Sequence, residues 1–197
     1  MSKPYAEVIG DPVIQSKSPL IHNFWLGRLE IDAEYRAAHV RPEQLADYLA
    51  RRRNDTDWRG CNVTMPHKQA VMPLLDELAP GREDHVVDLA HFAGATDFAF
   101  DDREGIIDLI VNASPLGMTG HPPLELDFSH APPGSTVYDI VTHPVDTPLL
   151  VEARRLGFET VDGLAMLVGQ ASAAFEQFFG APAPRQHDAE LRALLAV

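Results

Sequence analysis

The chain has 197 residues, of which 45% are hydrophobic, 23% charged and 8% aromatic, the composition of an ordinary globular protein with one large domain or two small ones. Its 16 lysines and arginines stand against 29 aspartates and glutamates, a formal net charge of −13. A field of that sign repels phosphate backbones and anionic membrane surfaces, so nucleic acid is excluded as a main partner, and any anion must be held by a locally built site. No apolar run approaches the roughly 20 residues that cross a bilayer, and the first residues carry no long apolar segment of a secretory signal, so no membrane partner is expected. A single cysteine, Cys61, cannot form an internal disulfide and fits a reducing cytoplasm.

Strand and helix signals alternate along the chain. Ala6–Ile9 reads as a short strand closed by Gly10-Asp11-Pro12. Ser18-Pro19 has the pattern of a helix cap followed by proline in the first turn, and opens a helix to about Leu29. Glu34–Val40 reads as a strand, Pro42 to about Arg53 as a helix, and Trp58–Val63 as a third strand. Pro66 opens a helix with Val71, Leu74, Leu75 and Leu78 as its apolar stripe. Ala79-Pro80-Gly81 is a breaker, and the best domain boundary lies near Ala79–Arg82. Beyond it a short helix is expected around Val86–Phe92, then strands at Thr96–Phe100, Leu109–Asn112, Thr136–Val141 and Glu159–Val161. Helices at about Thr147–Leu156, Leu164–Phe179 and Asp188–Leu195 complete the chain. Alternation of this kind predicts an α/β fold with mostly parallel sheet.

Four segments carry chemistry-bearing residues at strand exits or helix starts, where ligands of open parallel sheets bind. Ser16-Lys17-Ser18-Pro19-Leu20-Ile21-His22-Asn23 places two hydroxyls beside a helix start, where free N–H groups favour an anion. Its plainer reading is that Ser18 only caps the helix. Asn62-Val63-Thr64-Met65-Pro66-His67-Lys68 follows the third strand and puts Lys68 in a first helical turn. A cation there costs roughly 0.3–1 kcal/mol, and the same field favours loss of the ammonium proton, which suits proton transfer. A solvated surface lysine is the alternative. Asn112-Ala113-Ser114-Pro115-Leu116-Gly117-Met118 is either a ligand loop or a plain turn. In Asp162-Gly163-Leu164-Ala165-Met166-Leu167-Val168-Gly169-Gln170, Gln170 is the polar residue of a small, apolar helix segment and needs a partner, from a ligand or from backbone. The nine histidines form no metal pattern, Cys61 reads as a small core residue, and neither a G-x-S-x-G nor a P-loop occurs.

Taken in this order and spacing, the four segments resemble shikimate dehydrogenases. Tyr138-Asp139-Ile140-Val141 before Pro144, and Thr147-Pro148-Leu149-Leu150, belong to the same resemblance, which covers about residues 5–80 and 105–180. It implies an N-terminal α/β substrate domain (1–80), a Rossmann-like, doubly wound parallel-sheet domain (81–163) and C-terminal helices packing back on the substrate domain (164–197). It also implies reversible NADP-dependent oxidation of shikimate to 3-dehydroshikimate, in the route through chorismate to aromatic amino acids, by a monomer or homodimer in the cytoplasm. Carried over by motif, Ser16 and Ser18 hold the substrate carboxylate. Asn62 and Thr64 bind ring hydroxyls, Lys68 is the catalytic residue, and Gln170 completes the substrate pocket. Asn112, Ser114, Ile140 and Gly163 lie along the nicotinamide end of NADP. Thr142 stands on the substrate side where the family commonly has a tyrosine. No metal site is implied.

The sequence also departs from the family. Absent are the Asn-Thr-Asp-Gly stretch whose aspartate partners the lysine, the G-x-G-G-type turn for the pyrophosphate, and the Asn-Arg-Thr stretch for the 2′-phosphate. The shortfall of several tens of residues falls between Leu78 and about Asp84, so the second domain is incomplete. It removes the strands at or beside the centre of a doubly wound sheet, a hole about 10 Å wide lined by unpaired backbone. Each buried unpaired group costs about 1–3 kcal/mol against a total stability of about 5–15 kcal/mol. Either interior residues of a longer chain are missing from this sequence or the sheet is rearranged. The first reading predicts a jump in Cα spacing between Leu78 and Asp84, and Thr96–Phe100 about 14 Å from Leu109–Asn112. The second carries the alternative function, a non-catalytic shikimate-binding remnant.

Overall fold

The structure, a computed structural model, describes residues 3–75, 109–129 and 131–196. The first layer is a parallel sheet of β1 (Tyr5–Gly10), β2 (Glu34–His39) and β3 (Trp58–Val63) in the order β2-β1-β3. Every residue of β1 is buried, because helices cover both faces of this central strand. On one face Ala6 and Val8 pack with Val13 and Tyr35, and α1 (Ser18–Arg28) covers them. On the other, Ile9 joins Val40 and Val71 with Leu45 and Leu49 of α2 (Leu45–Arg52). Glu7, 1% exposed in this strand, is matched by Arg52, whose Nε lies 2.8 Å from its carboxylate. A buried carboxylate without such a partner would be strongly destabilising.

A second parallel sheet has the order β4-β5-β6, with β4 at Leu109–Asn112, β5 at Thr136–Asp139 and β6 at Glu159–Val161. Helix α4 (Pro148–Arg155) links β5 to β6 and packs Leu149, Leu150 and Ala153 on Ile110 and Val137. Helices α5 (Gly163–Phe179) and α6 (Asp188–Leu195) then return to the first layer. Leu164, Val168, Ala171 and Phe175 of α5, with Leu191 and Leu195 of α6, share one core with Ile21, Trp25 and Leu26 of α1.

The element expectations need three corrections. The helix after Pro66 is only α3 (His67–Ala70), followed by a 3-10 turn at Met72–Leu74. Pro73 lacks the N–H that would continue the helix, and it disfavours the helical conformation at Met72. Of the expected stripe, Val71 is buried but Leu75 is exposed. Ser18 is the first residue of α1 rather than its cap. Lys17 holds the cap position, with no side-chain cap bond. The strand expected to reach Val141 ends at Asp139, whose Oδ1 accepts the Val141 N–H at 2.9 Å and so turns the chain. The expected helix at Val86–Phe92, the strand at Thr96–Phe100, the boundary at Ala79–Arg82 and the Cα spacing between Leu78 and Asp84 lie outside the described residues.

Candidate active site

A cavity of about 620 Å³ opens between the carboxyl end of the first sheet, the loop after β5 and α5. Its walls include Ser16, Ser18, Asn62, Thr64, Lys68, Thr142 and Gln170, so all the residues singled out for substrate and catalysis meet in one place. The backbone explains the convergence. The loop into α1 follows β1, Asn62 and Thr64 sit at the end of β3, and parallel strands bring these exits to one edge. The loops are pinned together: the Thr64 N–H donates to Ile9 O at 3.0 Å and the Asp11 N–H to Met65 O at 3.0 Å. Gly10 makes this approach possible. A Cβ there would stand 2.5 Å from Thr64 Cγ2 and 3.0 Å from Met65 O.

Among the described residues no aspartate or glutamate lines the cavity, whereas Lys17 and Lys68 do, in a chain of net charge −13. The site is thus locally suited to an anion. Ser16 and Ser18 are half-buried, and the Ser18 N–H donates to Ser16 Oγ at 3.3 Å. Lys17 Nζ donates to Leu195 O, which ties this loop to the end of α6. Lys68 lies at the start of α3 with its side chain exposed and no partner among the described residues. Gln170 is exposed on the cavity wall rather than buried, and its amide makes no bond to the described protein, which leaves it open to a ligand.

The residues expected along the cofactor sit outside these walls, at the carboxyl ends of β4 and β5. The Asn112 amide is fully engaged: its Nδ2 donates to Leu116 O at 3.0 Å and Asp139 Oδ1 at 3.1 Å, and its Oδ1 accepts from the N–H and hydroxyl of Ser114. Asp139 also accepts from Thr147 Oγ1 at 2.7 Å. Asn112 therefore braces its loop, and Ser114 is held by the same oxygen. Ile140 donates its N–H to Asn112 O at 3.1 Å. A Cβ on Gly163 would stand 2.3 Å from Val141 O and 2.6 Å from Ile140 O, so glycine is what lets α5 start against this turn.

The wall residues that sequence reasoning missed include Lys17, His22, Met118 and His143, and it also missed Tyr35, which contacts the wall residue Asn62. His22 is 1% exposed, its ring lies 4.0 Å from that of Tyr35 and nearly parallel to it, and its Nδ1 has no partner among the described residues. Burial pushes its basicity down to about 3, so it is neutral at physiological pH. Burial pushes the Tyr35 phenol far up, so it stays protonated. Tyr35 OH donates to Asn62 Oδ1 at 2.5 Å. The one available signal was a lone aromatic in an otherwise polar or small strand, Glu34–His39. Cys61 packs beside the core of the first sheet, and burial pushes its thiol up to about 12, in keeping with its reading as a core residue.

The family model for the shikimate dehydrogenase substrate binding domain matches residues 8–84, and that for the shikimate 5′-dehydrogenase C-terminal domain matches residues 163–190. A protein of Sphingopyxis alaskensis named shikimate dehydrogenase (NADP(+)) is 41% identical, covering 98% of this chain and 97% of its own length. That alignment runs over 267 positions against a chain of 197, so at least 70 positions face gaps here, and the shortfall read from the sequence is real. Two solved structures share the fold at low identity. Shikimate 5-dehydrogenase of Listeria monocytogenes, in complex with shikimate and NAD, has a TM-score of 0.79 at 20% identity and covers 96% of each chain. That of Thermus thermophilus, in complex with NADP(H) and shikimate, has a TM-score of 0.76 at 21% identity, covering 97% of this chain and 99% of its own. With ordered motifs, a shared two-layer architecture and a relative this similar from end to end, the chain belongs to the shikimate dehydrogenase family.

Proposed function

We propose that this chain is an NADP-dependent shikimate dehydrogenase that reversibly oxidises shikimate to 3-dehydroshikimate in aromatic amino acid biosynthesis. The observation that carries the reading is the convergence of two serines, Asn62, Thr64, Gln170 and Lys68 in one cavity whose described walls carry no carboxylate. Ser16 and Ser18 take the carboxylate, with the Lys17 charge beside them. Asn62 and Thr64 hold ring hydroxyls, and Thr142 and Gln170 close the far side. Lys68 exchanges a proton with the hydroxyl that becomes the ketone, a role worth about 10²–10⁴-fold for a positioned group. Bound NADP supplies the hydride acceptor, and its reduced form the donor.

The residues at the ends of β4 and β5 fit the nicotinamide end of that cofactor. Asn112, Ser114, Ile140 and Gly163 are uncharged, the Asp139 carboxylate beside them is taken up by Asn112, Thr147 and the Val141 N–H, and Asn112 holds the loop of Ser114 against the turn of Ile140. The pyrophosphate and 2′-phosphate have no glycine turn or Asn-Arg-Thr stretch in this sequence. No helix among the described residues is long and apolar enough to cross a membrane, and a cytoplasmic monomer or homodimer is the setting that fits the reading. The test is purified chain with shikimate and NADP, followed by the absorbance of reduced nicotinamide and, separately, by calorimetric titration of shikimate. Turnover supports the dehydrogenase. Shikimate binding with no turnover at saturating NADP would instead favour the binding remnant, and absence of both would overturn the site.

A further inference from the structure

The Tyr35–Asn62 contact has a direction that decides what the cavity can recognise. The Tyr35 hydroxyl, 2.5 Å from Asn62 Oδ1, has that oxygen as the acceptor for its hydrogen. With the amide reversed, the buried phenol hydrogen would have no acceptor among the described residues, a costly loss. The amide is therefore held oxygen-inward and nitrogen-outward. The Asn62 nitrogen makes no bond to the described protein, and Asn62 lines the cavity.

Tyr35 is itself fixed from three sides. Its N–H donates to Asn23 Oδ1 at 2.9 Å and its carbonyl accepts from Asn23 Nδ2 at 2.8 Å. His22 stacks on its ring at 4.0 Å. The His22-Asn23 pair thus clamps a strand residue that in turn orients a residue of β3.

We infer that Tyr35 is a positioning residue that locks Asn62 as a hydrogen-bond donor, so that the cavity reads an oxygen acceptor on the ring and disfavours a cationic amine at the same place. The inference rests on the assignment of the cavity to shikimate. A ring hydroxyl there accepts from Asn62 through its lone pair and must give its own hydrogen to another group. A ketone oxygen is accepted equally well, so the orientation serves alcohol and ketone forms alike. Protonation does not disturb the arrangement in the neutral range, because burial keeps the phenol protonated and His22 uncharged. The charged groups facing the cavity are Lys17 and Lys68 alone among its described walls, with His143 as a further titratable group.

The experiment is calorimetric titration of shikimate into the chain and into Tyr35→Phe, Asn62→Ala and the double variant, with urea unfolding of each. Phenylalanine keeps the stack on His22 and the backbone pair with Asn23, so Tyr35→Phe is expected to fold. Loss of one neutral hydrogen bond that fixes a donor should weaken binding roughly two- to tenfold. Asn62→Ala should weaken it at least as much, and adding Tyr35→Phe to Asn62→Ala should cost nothing more. A merely structural role would lower stability and affinity alike in both backgrounds, and that result overturns the proposal. Unchanged affinity in Tyr35→Phe, with a clear loss in Asn62→Ala, overturns it while leaving the shikimate assignment intact. No binding by the unaltered chain removes both.

Discussion

Acid should destabilise this protein through His22, and the size of the effect follows from where that ring sits. It is 1% exposed, stacked on Tyr35 at 4.0 Å and edge-on to Trp25 at 5.9 Å, with Nδ1 unpartnered. Desolvation pushes its protonation down to about 3 in the folded chain, whereas an unfolded imidazole takes a proton near 6.5. Between those values the unfolded state binds the extra proton, so stability falls as pH drops through 6.5 and the loss is complete only near 3. At about 1.36 kcal/mol per unit, the cost is about 2 kcal/mol at pH 5 and about 5 kcal/mol at pH 3. Above about pH 7 the residue contributes no slope. His22→Phe keeps a flat ring on Tyr35 and removes the titration. Urea unfolding at pH 7.5 and pH 5 should show the unaltered chain losing about 2 kcal/mol more than the variant. Equal losses in the two proteins would refute the reasoning, since a buried neutral imidazole must produce the difference.

Two further outcomes follow from the cavity walls. Gly10→Ala places a methyl 2.5 Å from Thr64 Cγ2 and 3.0 Å from Met65 O, so the loop carrying Thr64 and Lys68 must shift, and shikimate affinity should fall in titration although Gly10 does not line the cavity. Unchanged affinity would mean that the loop position does not matter. Ser16→Ala with Ser18→Ala should weaken shikimate binding more than NADP binding, with only a modest loss of stability in urea, because the pair gives α1 one long bond, from the Ser18 N–H to Ser16 Oγ at 3.3 Å. Equal loss of both affinities would assign the serines to structure.

Much of the site was legible because its motifs follow strands, and a parallel sheet carries strand exits to a common edge. Ser16 is far in sequence from Asn62 and Lys68, yet β1 and β3 are hydrogen-bonded neighbours, so their loops must meet. The strand readings at Ala6–Ile9 and Trp58–Val63 located those strands without any contact being known. What stayed hidden depends on partners remote in sequence. Tyr35 looked like one more strand aromatic until its hydroxyl met Asn62, 27 residues away. The segment from Asn112 read as either a ligand loop or a plain turn, and nothing in the sequence signalled that Asp139, 27 residues on, engages the Asn112 amide. Gln170 was expected to be buried, and α5 instead turns that face to the cavity. The stripe beyond Pro66 suggested a longer helix than Pro73 permits.

The central claim is that Lys68 handles a proton of shikimate in this cavity, and one pair of measurements on Lys68→Ala tests it most directly. Shikimate affinity by calorimetry and the rate of NADP reduction are compared with those of the unaltered chain. The account predicts a fall in turnover of about 10²–10⁴-fold with affinity changed far less, because the lysine acts on the reacting hydroxyl while the serines, Asn62 and Thr64 still hold the ring. Near-normal turnover in Lys68→Ala would contradict it.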